Sequence, residues 1–287
     1  MIELIKEISS PDAAEIEVYR TLRRPEHHRK QGLFVVEGDK VVNRFLESNL
    51  CTVSVLVVSD LLDYYYPILE KKSEKIKIYT TSEPLLKAIV GFKYHQGIMA
   101  VGKIPQQRSL EQIMVNCTEP AIIVALDRLE SAENTGIIIR NCAANGVLAV
   151  IAGERSTDPF LRRAVRNSMG TLFNLPIVYS NNLVSTLEQL REIHHFQIVA
   201  AHPRAQSQDL FMTDLSKNSC IVLGNEGTGI SPEVLSQCDI EVQIPMVSNV
   251  DSLNVACASA VILYEAVRQR HSRKFHIPQF LIENSEL

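Results

Sequence analysis

This sequence predicts an α/β fold in two domains, a smaller α/β domain followed by one with a mainly parallel sheet. Helical and strand-like stretches take turns along nearly the whole of the 287 residues. Some strand-like runs, Ala121-Ile122-Ile123-Val124-Ala125-Leu126 and Cys220-Ile221-Val222-Leu223 among them, carry no charge, as strands buried on both faces do. Between 121 and 151, a strand, a helix stopped by Asn145-Gly146 and a second strand make a β-α-β unit.

In chain order, residues 1–30 read as helix, from Ile16, Val18, Tyr19 and Leu22 with charges between them, interrupted by Pro25. Gln31-Gly32 turns the chain into a buried strand, Leu33-Phe34-Val35-Val36. Glu37-Gly38-Asp39 then leads to a helix through Val41, Val42, Phe45 and Leu46. Residues 53–58 read as strand, 61–72 as helix and 76–79 as a short alternating strand. Ser82-Glu83-Pro84 caps a further helix, and 96–101 closes the domain as a strand. The stretch 102–108, with Lys103, Pro105 and two glutamines, has the character of a linker. The expected division is a front domain over 1–105, a linker over 106–117, a second domain over 118–272 and a tail over 273–287.

In the second domain the 121–126 strand ends in Asp127-Arg128-Leu129-Glu130, and the helix that follows covers about 134–144. Asp158-Pro159 opens a helix carrying Arg162, Arg163 and Arg166, ended by Ser168-Met169-Gly170. A strand at 175–179, a helix at 183–193 and a strand at 197–201 follow. The 220–223 strand then breaks into Gly224-Asn225-Glu226-Gly227-Thr228-Gly229. Ser231-Pro232-Glu233 starts a short helix, 240–244 is a strand ended by Pro245, and Asp251-Ser252-Leu253-Asn254 leads into a helix reaching residue 270. Two strand ends and one helix start thus converge, at the carboxyl edge where open parallel sheets hold nucleotide-like ligands.

Hydrophobic residues at 46% and charged residues at 22% exclude a disordered chain. No apolar run is long enough to cross a bilayer and the amino terminus lacks a signal peptide, so a cytoplasmic protein is expected. The six cysteines show no Cys-x-x-Cys pair and read as buried thiols; no metal site is expected. A net charge of −4 argues against a protein that coats nucleic acid over its whole surface. The charge is uneven, with 15 Lys and Arg against 14 Asp and Glu up to residue 105, and 14 against 19 beyond it. Arg20, Arg23, Arg24, Arg29 and Lys30 cluster around His27 and His28, as an RNA-contacting face or an ordinary charged helix.

Three segments carry a family resemblance. They are Asn134-Thr135-Gly136-Ile137-Ile138-Ile139-Arg140-Asn141-Cys142-Ala143-Ala144-Asn145-Gly146; Ile221-Val222-Leu223-Gly224-Asn225-Glu226-Gly227-Thr228-Gly229-Ile230-Ser231; and Ile244-Pro245-Met246 with Ser252-Leu253-Asn254-Val255-Ala256, running on to Tyr264-Glu265. Together, in this order and spacing, they resemble the motifs of the SpoU family of RNA ribose 2′-O-methyltransferases, within the knotted SPOUT superfamily. The front domain, chiefly through residues 29–38 and His95-Gln96-Gly97-Ile98, is similar to the ribosomal-protein-like RNA-binding domain of many members. The resemblance implies a deep C-terminal trefoil knot whose loops bind S-adenosylmethionine, and a homodimer in which each active site borrows from its neighbour. It implies cofactor-lining backbone at Gly224, Ile244 and Leu253, and catalytic or substrate-orienting side chains at Asn134, Arg140, Glu226, Ser252 and Asn254. Asn141 departs from the family, where threonine is frequent, as does Cys257-Ala258. The substrate implied is structured RNA, ribosomal RNA more than transfer RNA, with Arg23, Arg24, Arg29 and Lys30 as candidate RNA contacts.

The chemistry suits these residues. A ribose hydroxyl is a poor nucleophile at neutral pH, so its proton must be removed or its developing charge stabilised, while the sulfonium donor is already activated. Arg140, six residues after Asn134, projects roughly 9 Å further along the helix. The resemblance implies Arg140 as the base, helped by a substrate phosphate; because a guanidinium scarcely deprotonates, Arg140 serves equally as a phosphate clamp that stabilises an alkoxide. Singly, Asn134 reads as a helix cap, Arg140 as a solvated residue and 224–229 as a tight turn; the set points to catalysis. A non-catalytic RNA-binding or ribosome-assembly factor on the same scaffold is the alternative. A dinucleotide oxidoreductase does not fit the glycine spacing.

Overall fold

The computed structural model describes residues 2–22, 24–91, 96–115, 117–202, 207–247 and 252–271. The expected tail at 273–287 lies outside the described residues. The chain forms two compact units, one of Met1–Gln106 with Phe160–Asn174, the other of Gln107–Pro159 with Leu175–Leu287.

The first unit contains, in order, β1 (Ile2–Glu7), α1 (Glu17–Arg20), α2 (Pro25–Lys30), β2 (Leu33–Glu37), α3 (Asp39–Glu47) and β3 (Thr52–Val58). After these come α4 (Leu62–Glu70), β4 (Ile76–Thr81), α5 (Glu83–Val90) and β5 (Ile98–Lys103). Its sheet has the order β1-β4-β3-β5-β2, with β1, β4 and β3 parallel and β5 antiparallel to both neighbours. The expected helix over 1–30 is corrected at its start. Residues 2–7 are a strand because the edge of β4 offers unpaired backbone groups, and only pairing across some seventy residues reveals that partner. As expected, Ser82 caps α5 by accepting from the Leu85 N–H.

Residues Phe160–Asn174, expected within the second domain, complete the core of the first. Phe34 packs edge-on against Phe45 and Phe160 with ring centres 5.4 and 5.1 Å apart, and Phe173 closes on Phe45 at 5.3 Å. Gly102 is required there, since a Cβ would lie 2.6 Å from the rings of Phe34 and Phe45. The carboxylate of Glu37, only 1% exposed, pairs with Arg162 and with Arg166, the latter at 3.4 Å. Arg44 adds a hydrogen bond to the Met169 carbonyl at 2.6 Å. A buried carboxylate without counter-charge would be costly, and the two arginines of this segment supply that charge.

The second unit begins with α6 (Leu110–Met114), inside the stretch expected as linker. A capping box between Ser109 and Gln112 starts this helix, and Leu110 and Ile113 are buried in the unit's core. Next come β6 (Ile122–Leu126), α7 (Ala132–Ala144) and β7 (Ala149–Ala152); the helix Arg162–Asn167 of the first unit is α8. The rest is β8 (Ile177–Tyr179), α9 (Leu183–Glu192), β9 (Gln197–Ala201), β10 (Gln208–Asp209), β11 (Ser219–Leu223), α10 (Pro232–Leu235), β12 (Ile240–Gln243) and α11 (Val255–His271). The seven strands lie in the order β10-β12-β9-β11-β6-β7-β8, and every pairing is parallel. All residues of β6 and β11 are buried, as their uncharged sequences require. Because β6 and β11 are neighbours and parallel, the loops after them leave the same edge and meet: the Asp127 N–H donates to the Leu223 carbonyl at 2.8 Å.

Replacing Arg162 by alanine leaves the buried Glu37 carboxylate with half of its counter-charge. Urea denaturation of the full chain is expected to register a loss of about 3 kcal/mol, in the range for breaking a buried pair. A loss within error of zero would mean that Arg166 alone neutralises Glu37.

Candidate active site

The glycine-rich turn after β11 closes on itself. Asn225 and Gly229 exchange backbone hydrogen bonds of 3.0 and 2.9 Å, and the Asn225 side-chain oxygen accepts from the N–H groups of Gly227 and Thr228 at 2.9 and 3.0 Å. The other end of that amide donates to the Arg128 carbonyl at 2.8 Å, bracing the turn against the loop after β6. A side chain at Gly224 would place its Cβ 2.4 Å from the Gly229 backbone, so glycine is obligatory at this position. Gly229 itself has φ +73°, a conformation costly to other residues. Buried Asp127 secures the following segment by accepting the Ser231 N–H at 2.6 Å.

The closed turn presents Glu226 to the amino end of α7. Its carboxylate accepts the backbone N–H of Glu130 at 3.3 Å and of Ser131 at 3.1 Å, and the Asn134 side-chain amide at 2.9 Å. Asn134 is free to do this because Ser131, not Asn134, is the helix cap, its hydroxyl accepting the Asn134 N–H at 3.1 Å. The Asn134 side-chain oxygen then accepts from the Asn254 amide at 3.1 Å. Asn254 in turn caps α11, its oxygen taking the N–H groups of Ala256 and Cys257 at 2.9 and 3.3 Å. Burial works against the charged form of Glu226. The hydrogen bonds from the Asn134 amide and the surrounding backbone N–H groups outweigh it, holding the carboxyl below the usual carboxylate range.

Beside this chain of hydrogen bonds lies a cavity of about 460 Å³, walled by the loops after β9, β11 and β12 and by the start of α11. Gly224, Ile244, Leu253, Glu226, Ser252 and Asn254 all line it. Such a volume suits a nucleoside-sized ligand. Leu223, Ile244 and Leu253 give it apolar walls, while His202, Glu226 and Asn254 give it polar edges. Arg140 stands apart from these residues. It is exposed on α7 and does not border this cavity. Arg24, Arg29 and Lys30 lie exposed on and beside α2 in the first unit; Arg23 lies outside the described residues. Among the described residues no cluster of His, Cys, Asp and Glu has the makings of a metal site, and no helix is long and apolar enough to cross a membrane.

Sequence reasoning missed Ser131, Asn225, Asp127 and His202. Ser131, three residues ahead of Asn134, was legible as a cap. His202, directly after β9, was legible as a polar residue at a carboxyl strand end. The Asn225 and Asp127 contacts join loops about a hundred residues apart and left no local signal.

Because the native Glu226 carboxyl sits below its unfolded value, its stabilisation is complete above about pH 4.5 and is lost as pH falls through the lowered native value. Wild type and Glu226→Gln are therefore expected to differ in Tm at neutral pH and to converge in acid. A Tm difference independent of pH would remove the carboxylate from this account.

Residues 121–264 match the model of the SpoU rRNA Methylase family. The chain is similar to the 23S rRNA (guanosine-2′-O-)-methyltransferase RlmB of Acinetobacter baylyi, 32% identical over 198 residues that cover 68% of this chain and 79% of that protein. Among solved structures it resembles the AdoMet-bound rRNA methyltransferase from Sinorhizobium meliloti, with TM-score 0.78 and 26% identity over 92% of this chain and 98% of that one. It is also similar to the SpoU methyltransferase AviRb from Streptomyces viridochromogenes in complex with AdoMet, with TM-score 0.78 and 28% identity over 91% of this chain and 100% of that one. With an all-parallel sheet, a glycine turn anchoring Glu226 and a cavity at its carboxyl edge, the chain belongs to the SpoU rRNA methylase family.

Proposed function

We propose that this protein transfers a methyl group from S-adenosylmethionine to a ribose 2′-hydroxyl of structured RNA, ribosomal RNA in preference to transfer RNA. The observation that carries this reading is the cavity bordered by Gly224, Ile244 and Leu253, with the Glu226–Asn134–Asn254 chain along its rim. Likeness to a 23S rRNA guanosine-2′-O-methyltransferase supports the ribosomal substrate. The cavity fits the cofactor in volume and in its mixture of apolar wall and polar edge. When bound, S-adenosylmethionine supplies a methyl group activated on a sulfonium centre.

The protein's own contribution is alignment and electrostatics. Gly224, Ile244 and Leu253 form the cofactor wall. Glu226, ionised and saturated with donors, does not shuttle protons; it orients Asn134 and, through it, Asn254. Ser252 lies on the same wall and offers a hydroxyl beside the reacting groups. Arg140 serves the cavity of a second copy, where its guanidinium holds a substrate phosphate and stabilises the developing alkoxide. Its exposure supports this, as does the apolar surface on the same two helices, where Ile137, Val261 and Tyr264 are 38%, 41% and 66% exposed. A homodimer follows from that reading. The packing of α11 on α7 suits a C-terminal segment drawn through the knotted path of the family. Arg23, Arg24, Arg29 and Lys30 present the RNA from the front unit, and the protein works in the cytoplasm.

Incubation with methyl-labelled cofactor and total RNA is expected to label ribose 2′-oxygens of ribosomal RNA; cofactor binding without transfer to any RNA would reject the proposal. Sharing of the site has its own test. Arg140→Ala and Asn254→Ala chains, each inactive alone, are expected to regain activity when mixed, because a heterodimer carries one intact site. No recovery after demonstrated subunit exchange would place Arg140 and the cavity in the same subunit.

A further inference from the structure

The residue after Arg140, Asn141, joins α7 to α11. The Asn141 amide donates to the Ala256 carbonyl and to the Ser259 hydroxyl, both at 2.9 Å. Ser259 donates to the same carbonyl at 2.7 Å, and both Ala256 and Ser259 are buried. An amide nitrogen has two N–H groups and meets two acceptors at once; the threonine frequent here in the family has a single, shorter donor.

The amino end of α7 is already tied to the start of α11 by Asn134 and Asn254 at 3.1 Å. That tie alone is a pivot. Asn141 adds a second, nearly two turns further along α7, and the two end on the cap of α11, Asn254, and on Ala256 and Ser259 just inside the helix. Two separated ties remove the freedom to roll or slide. Arg140 departs from α7 one residue before the second tie, so its direction is set where it leaves the helix.

We propose that Asn141 is a positioning residue for the methyl transfer, clamping α7 to α11 and thereby fixing the direction of Arg140; this rests on the role given to Arg140 above. Ile138, Ile139 and Cys142 are buried and keep α7 packed without the clamp, so its loss shifts the arginine rather than unfolding the helix. Displacing a reacting group by about 1 Å costs up to about a hundredfold in rate. Asn141→Ala is accordingly expected to lower kcat by about tenfold or more, with S-adenosylmethionine affinity and Tm nearly unchanged. Ser259→Ala, which leaves α7 unaltered, is expected to lower kcat less, and the double variant no further than Asn141→Ala. Wild-type kcat in Asn141→Ala, additive losses in the double variant, or a loss that merely tracks cofactor binding would each overturn the proposal. Arg140→Ala is measured alongside. If it is inactive while Asn141→Ala is fully active, only the clamp is wrong; if Arg140→Ala is itself active, the reading beneath the clamp falls.

Discussion

The site depends on one carboxylate that only accepts. Because ionised Glu226 has no proton to give, every group facing it must be a donor: two backbone N–H groups at the mouth of α7 and the amide of Asn134. The Asn134 amide is thereby oriented nitrogen-first toward Glu226, which turns its oxygen to Asn254. Asn254 must then present its own nitrogen to Asn134 and its oxygen to the first N–H groups of α11. The polarity of one side chain fixes two amides and the starting point of two helices. The negative charge also sits at the positive end of α7, where the helix dipole favours it.

That carboxylate reaches its partners only because of strand order. β11 and β6 are neighbours in a parallel sheet, so chain segments about a hundred residues apart emerge side by side at the carboxyl edge. Neither strand carries a charged side chain, which leaves charged chemistry to the loops, where Asp127, Asn225 and Glu226 are saturated by backbone donors or braced against the neighbouring loop. The first unit solves a related problem differently. There the buried carboxylate of Glu37 is met by arginines from a segment encoded more than a hundred residues later. In both units an acidic side chain near the end of a strand recruits distant chain, by backbone donors in one case and by guanidinium groups in the other.

Much of the architecture was legible locally. The uncharged strands β6 and β11, the helix stopped at Asn145-Gly146 and the Ser82 cap each carry their own signal, and the structure places all of them as expected. The grouping of Gly224, Glu226, Ile244, Ser252, Leu253 and Asn254 around one cavity was legible because their motifs sit at the ends of recognisable elements. The misreadings share a cause. Residues 2–7 alternate charged and apolar side chains in a way that periodicity alone does not resolve, and the edge of β4 decided for strand. Residues 110–114 looked like linker because a five-residue helix with two buried side chains is too short for periodicity to show.

The sequence by itself determined the alternation of helices and strands, the positions where the chain must turn, and which polar residues stand at the ends of buried strands. These depend on periodicity, on glycine's freedom and on the intolerance of buried strands for charge, all of which act over a few residues. Only the tertiary structure decided that Phe160–Asn174 packs with the front unit, that Ser131 releases Asn134 for Glu226, and that Asn141 bonds across to α11. Each of these is a choice of hydrogen-bond or packing partner about a hundred residues away or contingent on one. A donor states what kind of partner it needs, but which partner it meets is set by the order of strands in the sheet.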